Sequence, residues 1–188
     1  MKTMMQGLAL MAVALLAGAG AAGAANRDKG NVPEGDDAVA QSVRHEVLMY
    51  PYYSIWDDVS FRVSNGQVEL SGAVNQPFKK SDIERVVQKL PGVAGVTGQI
   101  KVLPLSNFDD RLRLQVARAI YGDPVFVQYR NLAAPPIHII VENGHVTLCG
   151  VVSTELEKQV AGMRASGGLA LGTVVNNLQV EHPAVKKS

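Results

Sequence analysis

The feature that most constrains the fold of this chain is a phrase that occurs twice. Residues 63–74 read VSNGQVELSGAV, and residues 141–152 read VENGHVTLCGVV, 78 positions later. In each copy an Asn-Gly pair separates two runs of alternating apolar and polar residues, which predicts a β-hairpin with a two-residue type I′ turn. A repeat of this length favours two small domains of similar fold over a single domain with one core.

The sequence around each hairpin repeats as well. Before each one, a pair of aspartates opens a helix, where the carboxylates oppose the positive end of the helix dipole. Apolar residues then recur every four positions, and a second apolar helix follows the hairpin. The apolar positions are Val39, Val43, Val47, Ile83, Val86, Val87 and Leu90 in the first copy, and Leu112, Val116, Ile120, Leu156, Val160 and Met163 in the second. A last strand closes each copy, at residues 97–102 and 174–180.

These elements predict an α+β fold, with two tandem αββαβ domains that each carry a three-stranded mixed sheet and two helices on one face. The first domain covers residues 37–104, the second covers residues 105–183, and residues 184–188 form a tail. The second copy has five extra residues between its first helix and its hairpin, because the offset between the copies rises from 73 to 78.

The turns also predict which side chains face each other across the hairpins. Arg62 lies opposite Glu69, which is a favourable cross-strand pair, and His138 lies opposite Cys149. Gly72 and Gly150 fall on the inward face at the strand ends. We expect a helix backbone to pass close to both glycines.

The N-terminal region predicts export. Residues 1–25 combine an early lysine, an uncharged apolar run and a stretch rich in alanine and glycine, which is the pattern of a cleaved signal peptide. An uncleaved anchor is the alternative. Residues 26–36 form a polar linker, and we expect the mature protein in the periplasm. Without residue 2 the chain has 17 basic and 17 acidic residues, a balance that disfavours bulk binding of nucleic acid.

The tandem pattern resembles two BON domains, a module of exported bacterial proteins linked to osmotic stress and to the outer membrane. The matching segments are VSNGQVELSG, PGVAGVTGQIKV, VENGHVTLCG and VVNNLQV. The resemblance implies a module without catalytic activity that binds phospholipid surfaces, and sometimes protein partners. It implies no cofactor and no small-molecule substrate, and it suggests a role in envelope maintenance or osmotic stress protection.

Two groups of residues could support other chemistry. A Cys149–His138 pair could form a thiolate nucleophile, but such a site also needs an orienting group and an oxyanion site. Ser71 occupies the position of Cys149 in the first copy, so this position accepts small side chains. His145 with Glu142 could begin a metal site, although no spacing motif supports one. We therefore assign no catalytic or metal-binding residue.

The best candidate for a binding site is a difference between the two copies. On the outer face of its first helix the second copy has Arg111, Leu114, Gln115 and Arg118, where the first copy has Ala38, Gln41, Ser42 and His45. The extra segment that follows adds Phe126, Tyr129 and Arg130. Basic and apolar residues on one surface predict contact with an anionic phospholipid membrane.

The first copy has an aromatic segment at residues 50–56, YPYYSIW. We predict that it closes the end of the first core or docks the two copies together. The alternative is an exposed surface for an envelope protein, with Tyr52, Tyr53 and Trp56 as the contact residues.

Overall fold

The computed structural model describes residues 35–167 and 173–181. The predicted signal peptide, most of the predicted linker, residues 182–183 and the tail lie outside this range. Within it, no helix has both the length and the hydropathy needed to cross a bilayer.

The first domain has the predicted order of elements. Helix α1 (Asp36–Met49) precedes strands β1 (Asp58–Ser64) and β2 (Gln67–Val74), and helix α2 (Pro77–Gln88) and strand β3 (Gly95–Val102) follow. Strand β2 lies in the centre of the sheet, antiparallel to β1 and parallel to β3. The two helices pack against one face of the sheet, and the buried residues of that core are Val39, Val43, Val47, Val68, Leu70, Val74, Ile83, Val87 and Ile100.

The second domain repeats this order with two additions. Helix α3 (Asn107–Tyr121) leads into a 3-10 turn (Pro124–Phe126) and a short helix α4 (Val127–Arg130), which occupy the extra segment. Strands β4 (Ile137–Glu142) and β5 (His145–Val152) form the hairpin, and helix α5 (Glu155–Ser166) follows. The predicted last strand is divided into β6 (Val174–Asn176) and β7 (Gln179–Val180), which both pair with β5 in parallel. The mixed α+β fold of tandem domains is confirmed.

The hairpin registers agree with the prediction from the turns. Asn65 and Gly66 both have positive φ, at 51° and 73°, as a type I′ turn requires. Arg62 pairs with Glu69, and His138 pairs with Cys149. A two-residue turn leaves no freedom for the strands to slide, so the local sequence is sufficient to set the register.

The first aspartate of each predicted pair binds the turn of its own domain. Asp36 accepts hydrogen bonds from Asn65 N and Gly66 N, at 2.7 and 2.8 Å. Asp109 accepts the same two bonds from Asn143 N and Gly144 N, at 2.9 and 2.8 Å. Each carboxylate therefore joins the beginning of a helix to the tip of a hairpin.

The prediction that a helix backbone passes close to the two strand-end glycines was wrong. Gly72 and Gly150 have φ of +113° and +114°, and a Cβ would lie 2.0 Å from Asp58 O and 1.9 Å from Pro136 O, respectively. The close backbone belongs to the partner strand or to the residue just before it, and not to a helix. Any side chain at these positions would separate the hairpin strands.

The predicted apolar stripe of α5 was also wrong. Leu156 and Met163 are 62% and 64% exposed, while Glu157, Ala161 and Ala165 are buried. Both faces have helical spacing, so periodicity alone could not choose between them. The structure buries the face that contains a carboxylate because that carboxylate has internal hydrogen-bond donors, as described below.

Candidate functional site

The outer face of α3 carries three of the predicted membrane-binding residues. Ser106 caps the helix by accepting a hydrogen bond from Asp109 N, and the buried stripe of Leu112, Val116 and Ile120 fixes its orientation. On the opposite side, Arg111 and Arg118 are exposed, and Leu114 is 49% exposed. We call these three residues the α3 surface.

The cations of this region are available to an external anion. In the described part of the chain no ion pair involves Arg111, Arg118 or Arg130. By contrast, Arg113 on the same helix is only 4% exposed. Its guanidinium binds Asp110 and donates from Nη2 to Val141 O at 2.7 Å. The sequence analysis does not identify Arg113 as a buried residue. Its position beside the apolar stripe of α3 is the feature that indicates burial.

Two of the predicted membrane-binding residues lie in the core instead. Phe126 is fully buried and Tyr129 is 8% exposed. The 3-10 turn and α4 fold over the end of the second core, with Asp123 accepting a hydrogen bond from Val125 N at 2.9 Å. Phe126 and Tyr129 are therefore not available to enter a bilayer, and of the three candidates in this segment only Arg130 is exposed.

A buried polar group explains the position of Tyr129. The Glu157 carboxylate accepts hydrogen bonds from Tyr129 Oη (2.8 Å), Ser153 N (2.8 Å) and Gln128 Nε2 (2.8 Å). The first domain has Lys79 at the equivalent position, where its Nζ lies 2.6 Å from the fully buried Asp57. Each domain thus buries one ionisable group at the start of its second helix, with opposite charge and different partners.

The aromatic segment joins the two domains. Ile55 O accepts a hydrogen bond from Ile139 N at 2.7 Å, and the side chains of Ile55 and Trp56 pack against the second core. The ring of Tyr53 lies 5.5 Å from the ring of His138. This agrees with the prediction that the segment docks the copies, and it removes Tyr53 and Trp56 as an exposed partner surface.

Tyr52 is the member of this segment that remains outside. It is 61% exposed, and its ring contacts Tyr50 and Phe78 edge-on, with centroid distances of 5.8 and 5.5 Å. Tyr50 donates a hydrogen bond to Asp82 at 2.9 Å. These contacts form an aromatic cluster on the surface of the first domain.

The environment of Cys149 opposes nucleophilic chemistry. Burial, followed by the charge and hydrogen bond of Asp58, raises the pKa of the Cys149 thiol to about 12. A nucleophilic cysteine needs a lowered pKa. His138 Nδ1 is buried and has no hydrogen-bond partner among the described residues, so no orienting group holds the imidazole there. Cys149 therefore lies beside the domain junction as a neutral thiol.

The residues weighed for a metal site have other partners. His145 Nδ1 lies 2.8 Å from Thr173 Oγ1, and Glu142 forms an ion pair with Lys101 at 2.6 Å. Nowhere in residues 35–167 and 173–181 do three His, Cys, Asp or Glu side chains converge on one point.

Comparison with known proteins supports the tandem arrangement. A family model described as BON domain matches residues 35–104 and again residues 109–182. None of the curated proteins matches this chain significantly. A solved structure of CdsD, a structural protein of the type III secretion system of Chlamydia trachomatis, is 15% identical with a TM-score of 0.29, covering 78% of this chain and 93% of that chain. Its C-terminal domain is 13% identical with a TM-score of 0.28, covering 83% and 100%.

Proposed function

Because the chain belongs to the BON domain family, we propose that it is an exported, periplasmic envelope module that binds anionic phospholipid surfaces weakly. BON domains are generally non-catalytic binding modules associated with membranes, the envelope and stress. The proposed role in the cell is envelope maintenance or osmotic stress protection.

The proposal rests on the exposed residues of the α3 surface. Arg111 and Arg118 flank an exposed Leu114 on one helix face, and Arg130 is exposed at the end of α4. Cationic side chains attract anionic headgroups, while a leucine between them can enter the boundary with the acyl chains. The equivalent face of α1 has Ala38, Gln41 and His45, so the proposal assigns the contact to the second domain.

The expected free energies of binding predict a weak interaction with the membrane. Each arginine near an anionic membrane contributes about 1 kcal/mol, so three contribute about 3 kcal/mol. Insertion of Leu114 adds roughly 1.5–3 kcal/mol. The sum of about 4.5–6 kcal/mol corresponds to apparent dissociation constants of roughly 0.04–0.5 mM. Phe126 and Tyr129 lie in the core and add nothing to this sum. Several molecules on one membrane are therefore needed for firm attachment.

Co-sedimentation with vesicles of mixed anionic and zwitterionic phospholipid tests the proposal. We expect binding to the anionic vesicles that decreases with salt and falls at least about tenfold in Arg111→Glu/Arg118→Glu, because attraction becomes repulsion. The matched control is Arg44→Glu/Lys89→Glu, which makes the same charge change at exposed positions of the first domain.

Two results would remove the membrane assignment. One is equal partitioning of the two double variants, since net charge rather than the α3 surface would then control binding. The other is sedimentation that does not respond to salt or to the anionic lipid fraction.

A second candidate function rests on the aromatic cluster. Tyr52 and Phe78 are 61% and 46% exposed, which is typical of residues that bind a partner protein. The alternative function is a protein-interaction or stress-protective module that binds an envelope protein through this surface. It predicts that Tyr52→Ala/Phe78→Ala loses capture of that protein from an envelope extract while vesicle binding is unchanged.

A further inference from the structure

The first strand of each hairpin, β1 or β4, lies at one edge of its sheet and pairs with only one other strand. In a hairpin with a two-residue turn, the residues next to the turn are hydrogen-bonded, and the alternate residues point their N–H and C=O outward. In β1 the outward residues are Val59, Phe61 and Val63, and their counterparts in β4 are Ile137, Ile139 and Val141. The two edges can therefore be compared position by position.

The β4 edge is closed by other parts of the chain. Three outward backbone groups have hydrogen bonds: Tyr121 Oη donates to Ile137 O (2.6 Å), Ile139 N donates to Ile55 O (2.7 Å), and Arg113 Nη2 donates to Val141 O (2.7 Å). The three β4 residues are fully buried. Part of this closure is thus a turn from outside the second domain, closed by a hydrogen bond from Asp57 N to Ser54 O, and its Ile55 carbonyl binds the strand at its centre.

The β1 edge lacks these contacts. On α1, the positions of Arg113 and Tyr121 are taken by Ala40 and Leu48, which cannot donate a hydrogen bond from the side chain. Val59 N has one long bond, 3.4 Å, to Tyr53 Oη. No residue in the described part of the chain binds the outward N–H of Phe61 or the outward C=O of Val63. Natural proteins usually protect such an edge.

A groove lies beside this open edge. Its volume is about 590 Å³, and its lining includes Ala40, Gln41, Arg44 and Leu48 from α1 and Val59 and Phe61 from β1. The apolar side chains of β1 that face α1 are only half-buried, whereas their counterparts in β4 are fully buried. The open edge therefore combines unpaired backbone groups with an uncovered apolar surface.

We propose that the open β1 edge binds an extended apolar segment of a partner protein by strand addition. The second domain supplies the pattern, because Ile55 and Trp56 provide both the backbone acceptor and the side chains that cover the β4 edge. A strand of about five residues matches the length of β1 from Val59 to Val63. The expected partner segment places a backbone carbonyl at Phe61 N and a β-branched or aromatic side chain in the groove. This surface is separate from the α3 surface, so the two proposals stand or fall independently.

The chain itself provides a probe. A fluorescently labelled peptide with the sequence YYSIWDD copies residues 52–58, which include the segment that covers β4. We expect it to bind the purified protein with a dissociation constant of about 100 µM, measured by fluorescence polarisation. In NMR spectra, the amide signals of Phe61 and Val63 should shift on addition of the unlabelled peptide. A peptide with its isoleucine replaced by aspartate should bind at least about tenfold more weakly, because it loses the apolar side chain that is expected to cover Val59 and Phe61.

Ala40→Arg is the decisive variant, since it gives α1 the arginine that α3 has at position 113. We expect at least about a tenfold loss of peptide binding in Ala40→Arg and no change in Ala134→Arg, which adds the same charge at an exposed position. Leu48→Glu places a charge in the groove at a half-exposed site, and it serves as the second variant if Ala40→Arg is less stable by circular dichroism. No binding up to about 1 mM peptide, or equal binding by wild type, Ala40→Arg and Leu48→Glu, would overturn the proposal. A concentration-dependent dimer that disappears in Ala40→Arg would assign the edge to a second copy of this chain and would overturn the partner assignment.

Discussion

At the scale of single residues, the two turn-binding aspartates make the same contacts in different surroundings. Asp109 is fully buried, and Asp36 is half-exposed. We predict that Asp109→Ala lowers the free energy of unfolding by about 2–3 kcal/mol, because it leaves two turn N–H groups without an acceptor. For Asp36→Ala, water can replace the lost carboxylate, and we expect about 1 kcal/mol. Urea denaturation measures both.

The control for this pair is Asp37→Ala, at an exposed neighbouring position of α1. It should change stability by less than about 0.5 kcal/mol. Equal losses for Asp36→Ala and Asp109→Ala would show that burial does not set the strength of these bonds.

Cys149 gives a second test at this scale. With the thiol pKa raised to about 12, the thiolate that reacts with iodoacetamide is scarce at pH 8. Labelling in the folded protein should be at least about 100-fold slower than in urea. Asp58→Asn removes the charge that also raises the pKa, so its labelling should be faster than that of wild type. A folded protein that is labelled as fast as the unfolded chain would contradict the assigned environment of the thiol.

The residues that sequence reasoning placed correctly are those governed by local geometry. The Asn-Gly turns determine that Arg62 faces Glu69 and that His138 faces Cys149, and no distant contact is required for this. Phe126 was misplaced because it lies in an insertion without periodicity, where aromatic content alone does not distinguish a surface from a core. The direction of its side chain depends on how the 3-10 turn packs against α5.

At the scale of secondary-structure elements, α5 shows why a helical stripe can be misread. Leu156, Val160 and Met163 recur at helical spacing, yet the buried residues of α5 are Glu157, Ala161 and Ala165. A sequence pattern assigns a carboxylate to solvent by default. The donors that make its burial acceptable come from Tyr129 and Gln128 in α4, and the sequence of α5 contains no information about them.

The contact between the 3-10 turn and α5 predicts a pH dependence. Hydrogen bonds from Val125 N and then from Arg164 lower the pKa of the Asp123 carboxyl. Its contribution to stability is therefore complete above the ordinary carboxyl pKa of about 4, and it is lost as the pH falls through the lower folded value. We predict that Asp123→Asn has a lower urea midpoint than wild type at pH 7. The two midpoints should converge as the pH falls below the ordinary carboxyl pKa of about 4.

Glu181→Gln, at an exposed position outside the helices, controls for the loss of a carboxylate as such, and its midpoint should follow that of wild type at every pH. A difference between Asp123→Asn and wild type that stays constant from pH 7 to the acid limit would exclude ionisation of Asp123 as the source of the effect.

At the scale of the whole molecule, the two domains are predicted to be coupled through Trp56. Trp56→Ala removes packing from the second core although the residue belongs to the first domain. We expect a loss of about 2–3 kcal/mol in the stability of the second domain, below the full value for a buried Trp because this side chain is half-buried. Amide exchange of Ile139, whose N–H binds Ile55 O, should accelerate.

Tyr52→Ala is the matched control, because it removes an aromatic ring from the same segment at a 61% exposed position. Ile139 should exchange at the wild-type rate in that variant. If Trp56→Ala also leaves this rate unchanged, the aromatic segment does not couple the domains.

Sequence repetition was sufficient to predict two copies of one fold, but not how they meet. The repeat carries the information for each hairpin and each helix pair. The junction depends on the parts that differ between the copies, namely Tyr53, Ile55 and Trp56 in one and His138 and Ile139 in the other. A contact between unlike segments leaves no periodic trace in a sequence.

The hydrogen bond from Ile139 to Ile55 also makes the contact between the two domains one-sided. The first domain covers the β4 edge of the second domain, whereas no described residue of the second domain makes such a bond to the β1 edge. A rearranged gene that encoded the halves in the opposite order would detach β4 from its natural cover. The product would then expose the β4 edge in addition to the β1 edge, and we expect it to associate with its own copies.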